Sequence, residues 1–140
     1  MSNPSPEIIE KVKEWLTFAD DDIRLARHAA KLKSSIPFRL VAFHAQQCAE
    51  KYLKAYLVYK NVDFPYTHSI AVLLKLCDTN IPWVKEIQDT DVLTPYATTA
   101  RYPGVDREVS KQEAMRAIDL AEKVRQKVRA AFESLGLDLP

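Results

Sequence analysis

The chain has 140 residues, with a hydrophobic fraction of 47%, a charged fraction of 28%, two glycines and a formal net charge of +1. That length supports one domain with a core of its own, and the absence of alternating apolar runs with so little glycine predicts an all-helical protein. The charge balance excludes a generically basic nucleic-acid binder and leaves room for a local basic patch.

Residues 1–5 read as a short polar leader. Ser5 is placed to cap a first helix, with Pro6 in its first turn and Glu7 at its positive end. The stripe Ile8, Val12, Trp15, Leu16, Ala19, Ile23, Ala26 and Ala30 carries that helix to near Lys33. Asp20, Asp21 and Asp22 are expected on or beside its solvated face. Consecutive helical residues point ~100° apart and do not converge on one ion, so no metal is expected there. A second long helix runs from Ser35, read as its N-cap, to Lys60, with Pro37 in the first turn. Val41, Ala45, Cys48, Ala49, Tyr52, Leu53, Tyr56 and Leu57 form its buried stripe. The polar run Gln46, Gln47, Glu50, Lys51 and Lys54 reads as a solvated face, most plainly at Lys54. Gln47 and Lys51 share an i, i+4 stripe suited to lining a nucleotide or phosphate groove.

After a turn over 61–66, Thr67 is expected to cap a short third helix reaching about Cys77. Pro82 starts a fourth segment, interrupted at Pro95 with Thr94 as a new N-cap, and the piece through Ala100 stops at Pro103-Gly104. Ser110-Lys111-Gln112-Glu113 is a capping box that opens the last helix. Met115, Ile118, Ala121, Val124, Val128, Phe132 and Leu135 give its buried face, and Gly136 is its C-terminal cap. The expected architecture is an up-down bundle of three long helices and two shorter segments, one domain over residues 1–140. No apolar run approaches the ~18–20 residues of a membrane span, and the two cysteines, Cys48 and Cys77, have no paired spacing. With no signal pattern at the N-terminus, the reading is a soluble protein of the reducing cytoplasm.

The second helix carries the residues suited to chemistry. His44 can move a proton to or from a ribose hydroxyl or a leaving oxygen, and Arg39 can hold a phosphate and offset its growing charge. Five residues along a helix leave the two side chains ~140° apart, so one helix does not easily aim both at one phosphate. Arg39 in the first turn could bend back toward His44, or a second subunit across a two-fold axis could complete the site. Tyr52, Tyr56 and Tyr59 also give this helix more aromatic surface than one core face uses, and both observations predict a homodimer. Arg101 and Tyr102 precede the Pro103 stop, where a ring can stack on a base and a guanidinium can take a phosphate. The plainer alternatives are a core-edge His44, a solvated Arg39, a Tyr102 packed as a lid and a His68 used locally at a helix start. No Walker loop, dinucleotide fingerprint, zinc set or Ser/Cys triad is present, and no cofactor is expected.

The stretch FHAQQCAEKYLKAYL within the second helix, Tyr66-Thr67-His68 and Ala100-Arg101-Tyr102-Pro103 together resemble the HEPN domains, the small helical nucleotide-binding domains of higher eukaryotes and prokaryotes. The resemblance covers nearly the whole chain. It implies a protein that binds nucleotide or RNA phosphate, with a small nucleotidyltransferase as its partner. It also implies an alternative, a metal-independent endoribonuclease of the toxin–antitoxin type using the Arg-x4-His pair Arg39 and His44; a helical module for protein contacts alone is a further alternative that the bundle leaves open. In the toxin branch a modified Tyr stands two places after the His. Here that place is Gln46, so the modification does not carry over to it.

Overall fold

The structure, a computed structural model, describes residues 3–99 and 108–139. The elements are α1 (Pro6–Ala30), α2 (Phe38–Tyr59), α3 (Ile70–Leu76), α4 (Pro82–Lys85), a 3₁₀ segment (Gln88–Leu93), α5 (Tyr96–Thr99) and α6 (Lys111–Ser134), with no strand among the described residues. The all-helical bundle expected from composition is what forms, with α1, α2 and α6 as its long members.

Local chemistry sets the helix ends. The Ser5 hydroxyl accepts from the Ile8 amide at 3.3 Å, ahead of Pro6 and Glu7. Ser110 and Glu113 exchange side-chain-to-backbone bonds at 3.0 and 3.3 Å, so the capping box is real. At the other end of α6, Gly136 takes φ +81°, and the amides of Gly136 and Leu137 bond back to the carbonyls of Glu133 and Phe132, a Schellman closure.

Three boundaries differ from the sequence expectation. Ser35 is not the N-cap of α2. Its φ is +53°, whereas an N-cap needs extended backbone, and Pro37 takes the position without any side-chain cap. Thr67 does not cap α3 either; it accepts the Ser69 amide at 3.0 Å, and Ser69 is the cap. A new helix, α5, does begin after Pro95, but Thr94 is the C-cap of the 3₁₀ segment and its side chain turns to α3. Its hydroxyl accepts the Ile70 amide and Asp91 accepts the Ala71 amide, each at 3.1 Å, so the 3₁₀ segment supplies caps to α3 across the fold.

The helix α2 lies at the centre, packed along α1 and α6 and touching α3, α5 and the 3₁₀ segment. It is buried on almost every side, well beyond the single stripe that periodicity indicated. Its tyrosines are spent inside the chain: Tyr56 meets Trp83 and Phe132, and Tyr59 meets Phe132. The aromatic surplus offered as a reason for a dimer is therefore absent. On α6 the buried face runs through Ala114 and Ala117, while Met115 and Leu135, expected inside, are exposed.

Cys48 and Cys77 are both free and buried. Burial raises both thiols, Cys77 to about 12, and burial with the Asp20 hydrogen bond raises the Tyr52 phenol. Folded-state values above the unfolded ones mean that this stability is fully present below the unfolded thiol pKa of about 8.5 and is lost as pH rises. Thermal unfolding followed under reducing conditions should show Tm falling from about pH 8 to about pH 11. The fall should be shallower in Cys77→Ala; equal slopes in the two proteins would contradict this.

Candidate functional site

The acidic triplet of α1 divides three ways. Asp21 is exposed, as expected, but Asp20 and Asp22 turn inward. Asp20 faces α6 and takes Tyr52 Oη, Arg125 Nε at 3.0 Å and Arg129 Nη1 at 3.4 Å, tying α1, α2 and α6 together. Asp22, 8% exposed, faces α2 instead. The ~100° between neighbours that keeps the triplet from holding one ion is what sends its members to different helices.

Asp22 joins two residues of α2. His44 Nδ1 lies 2.8 Å from Asp22 Oδ1, and Lys51 Nζ donates to Oδ2 at 2.5 Å. His44 and Lys51 are seven residues apart, two turns on one side of the helix. A carboxylate only accepts, so Nδ1 is the donor in this pair, and Nε2 is the ring nitrogen left for another partner. Both side chains are partly open, 23% for His44 and 20% for Lys51. The Lys51 ammonium keeps two further donors beyond the one given to Asp22.

A second cluster surrounds Glu50, which the sequence placed on a solvated face and the fold buries. Glu50 Oε1 receives Gln46 Nε2 at 3.1 Å and lies 2.8 Å from His68 Nδ1; Oε2 receives Lys54 Nζ at 2.9 Å. Gln46 Nε2 also reaches the His68 carbonyl at 3.1 Å, and Gln47 Nε2 donates to Gln46 Oε1 at 2.7 Å. Lys54 is not a solvated residue. It sits 5.7 Å from the centroids of both Trp15 and Phe64, which meet edge to face above it. Burial is tolerable because the ammonium has a carboxylate and two aromatic faces. His68 thus orients on Glu50 rather than serving its own helix start, and Tyr66, 91% exposed, stands beside its ring.

Of the residues singled out from sequence, the fold brings His44 and Lys51 together through Asp22 and places Gln47 between them on the helix. Arg39 is exposed in the first turn of α2, with no hydrogen-bond or ion-pair partner among the described residues, and it does not join the His44 cluster. Arg101 and Tyr102 lie outside the described residues, as does the Pro103-Gly104 stop. Asp22, Glu50 and His68 were not identified as site residues by sequence reasoning. The usable signal for Asp22 was its register: it stands three residues after Ala19 and four before Ala26, both core residues.

The fold and its polar centre define a class of small helical domains in which one central helix supplies both core side chains and two buried or half-buried polar clusters. The chain belongs to the HEPN domain family, whose model matches residues 12–131. Two solved structures are similar. One is TT1696 from Thermus thermophilus, at 27% identity and TM-score 0.72, over 86% of this chain and 97% of that one. The other is ST0689, an archaeal HEPN homologue, at 28% identity and TM-score 0.66, over 86% and 96%. No curated protein sequence matches the chain. Among the described residues, no helix is long and apolar enough to cross a membrane.

Proposed function

We propose that this protein binds the phosphate of RNA or a nucleotide beside α2, at His44, Gln47 and Lys51, as a cytoplasmic HEPN protein working with a small nucleotidyltransferase. The observation that carries this reading is the convergence of His44 and Lys51, both partly exposed, on one carboxylate. Asp22 holds the Lys51 ammonium and the His44 ring together, and a phosphate arriving from solvent meets the remaining ammonium donors, to which an imidazolium form of His44 would add an Nε2–H donor. We assign Arg39, Arg101 and Tyr102 to the same ligand, and propose that the protein is a homodimer.

Asp22 competes with the ligand for the Lys51 ammonium, which makes the test two-sided. Charge-assisted hydrogen bonds are worth about 1.5–3 kcal/mol, so Lys51→Ala should weaken binding of labelled RNA by about tenfold or more. Asp22→Asn should tighten it, because one negative charge leaves the site. Fluorescence anisotropy on both variants reads the signs directly. Equal weakening by both would mean that the cluster is structural.

A second reading, metal-independent RNA cleavage, is favoured by the Asp22–His44 pair itself. An imidazole fixed through Nδ1 by a carboxylate presents Nε2 to a hydroxyl proton in a set orientation. Arg39 would then offset charge on the phosphate.

A further inference from the structure

The two glutamines of α2 have their amide ends assigned by a buried charge. Glu50 is buried, and a carboxylate only accepts. Gln46, also buried, has its side-chain nitrogen 3.1 Å from Glu50 Oε1 and 3.1 Å from the His68 carbonyl oxygen, two acceptors. Reversing that amide would set its oxygen against both of them inside the fold, so the carboxylate fixes its orientation. Gln46 Oε1 then accepts from Gln47 Nε2 at 2.7 Å. The orientation is passed along: Gln47 spends its nitrogen on Gln46 and leaves its carbonyl oxygen as the open end.

That oxygen has no hydrogen-bond partner among the described residues and is not enclosed, so it is open to solvent or to a ligand. Gln47 stands three residues after His44 and four before Lys51, about 5–6 Å from each between Cβ atoms. The cluster therefore offers ammonium donors at Lys51 and, one helical turn away, an acceptor at Gln47. An amide oxygen repels a phosphate and takes an O–H or N–H. A phosphate alone gives this acceptor nothing to bind.

We infer that Gln47 sets ligand specificity at this site: its carbonyl oxygen accepts a hydroxyl carried on the carbon next to the phosphate ester. Gln46, Glu50 and His68 are the positioning residues that hold the amide in that sense. This rests on the reading that a phosphate meets Lys51 beside His44. A hydroxyl joined to its phosphate by a short carbon bridge matches two groups one turn apart on a helix, and a donor farther along the ligand would overshoot Gln47. His44 Nε2 is the competing acceptor. It loses that role when the ring is protonated, whereas the Gln47 oxygen accepts in both states of the ring.

The test is calorimetric titration with adenosine 3′-monophosphate and with its 2′-deoxy form, which differ by one hydroxyl next to the phosphorylated carbon. The wild type should bind the hydroxylated ligand about five- to tenfold more tightly, the worth of one neutral hydrogen bond. Gln47→Met, which keeps the length and loses the acceptor, should erase the preference by weakening the hydroxylated ligand alone. Gln46→Met should free the Gln47 amide to turn, and so reduce the preference without weakening the deoxy ligand. Lys51→Ala should weaken both ligands and keep the preference. The first comparison uses the wild type alone and stands whether or not Gln46→Met folds. Equal wild-type affinities, with Lys51→Ala still weakening both, would overturn the role of Gln47 and leave the phosphate site standing. A preference that survives in Gln47→Met would put the hydroxyl on His44 and overturn that role as well. A preference lost in Gln47→Met and unchanged in a folded Gln46→Met would overturn the positioning chain. Binding of neither nucleotide would overturn the phosphate reading together with this one.

Discussion

Glu50→Ala should destabilise the protein by about 3–5 kcal/mol, the cost of leaving a buried charge without its partner. The Lys54 ammonium is only 7% exposed and Glu50 3%, so the pair is a core interaction despite its i, i+4 spacing. The same change strips His68 and Gln46 of their acceptor. Replacing the pair by apolar residues, Glu50→Leu with Lys54→Met, should recover most of the loss, since a packed apolar pair is often as stable as a buried ionic one. Denaturant midpoints on the three proteins decide the matter. A loss near the ~0.2–0.5 kcal/mol of an exposed helical pair would show that Glu50 and Lys54 are solvated after all.

If the protein cleaves RNA, His44→Ala should slow it by about 10²–10⁴-fold, the usual contribution of a positioned acid or base. Arg39→Lys should retain part of the rate lost in Arg39→Ala, because an ammonium keeps the charge and loses the planar fork. Asp22→Asn separates the two functions: it should bind RNA more tightly and cleave it more slowly, since it no longer stabilises a protonated His44. Proton transfer by side chains needs no metal, so EDTA should leave the rate unchanged. Full activity in His44→Ala would remove the catalytic reading and leave binding untouched.

The long helices were readable because their signals are local. Ser5-Pro6, the capping box at Ser110 and Gly136 each set an end through bonds within a few residues. The short elements were readable only in part: Pro82 opens α4 as expected and Ser69 caps α3 locally, but α3 also draws on Thr94 and Asp91, about twenty residues away or more. The site divides in the same manner. His44 and Lys51 stand out on one helix, but their partner Asp22 is supplied by α1 and looked like one member of a solvated acidic run. Gln46, Glu50 and Lys54 have the composition of a surface. They are inside because α2 is enclosed by its neighbours and because Trp15, Phe64 and His68 converge on that side. Periodicity reports one face of a helix; it carries no information on how many sides the rest of the chain will cover.

The central claim is that RNA or nucleotide phosphate meets His44 and Lys51. The chain has three histidines, His28, His44 and His68, so their ring resonances can be followed individually by NMR during an RNA titration. The His44 ring should shift with saturation as RNA is added, and the shift should disappear in Lys51→Ala at the same RNA concentration. Saturable RNA binding that leaves the His44 ring unmoved would place the ligand elsewhere and contradict the account.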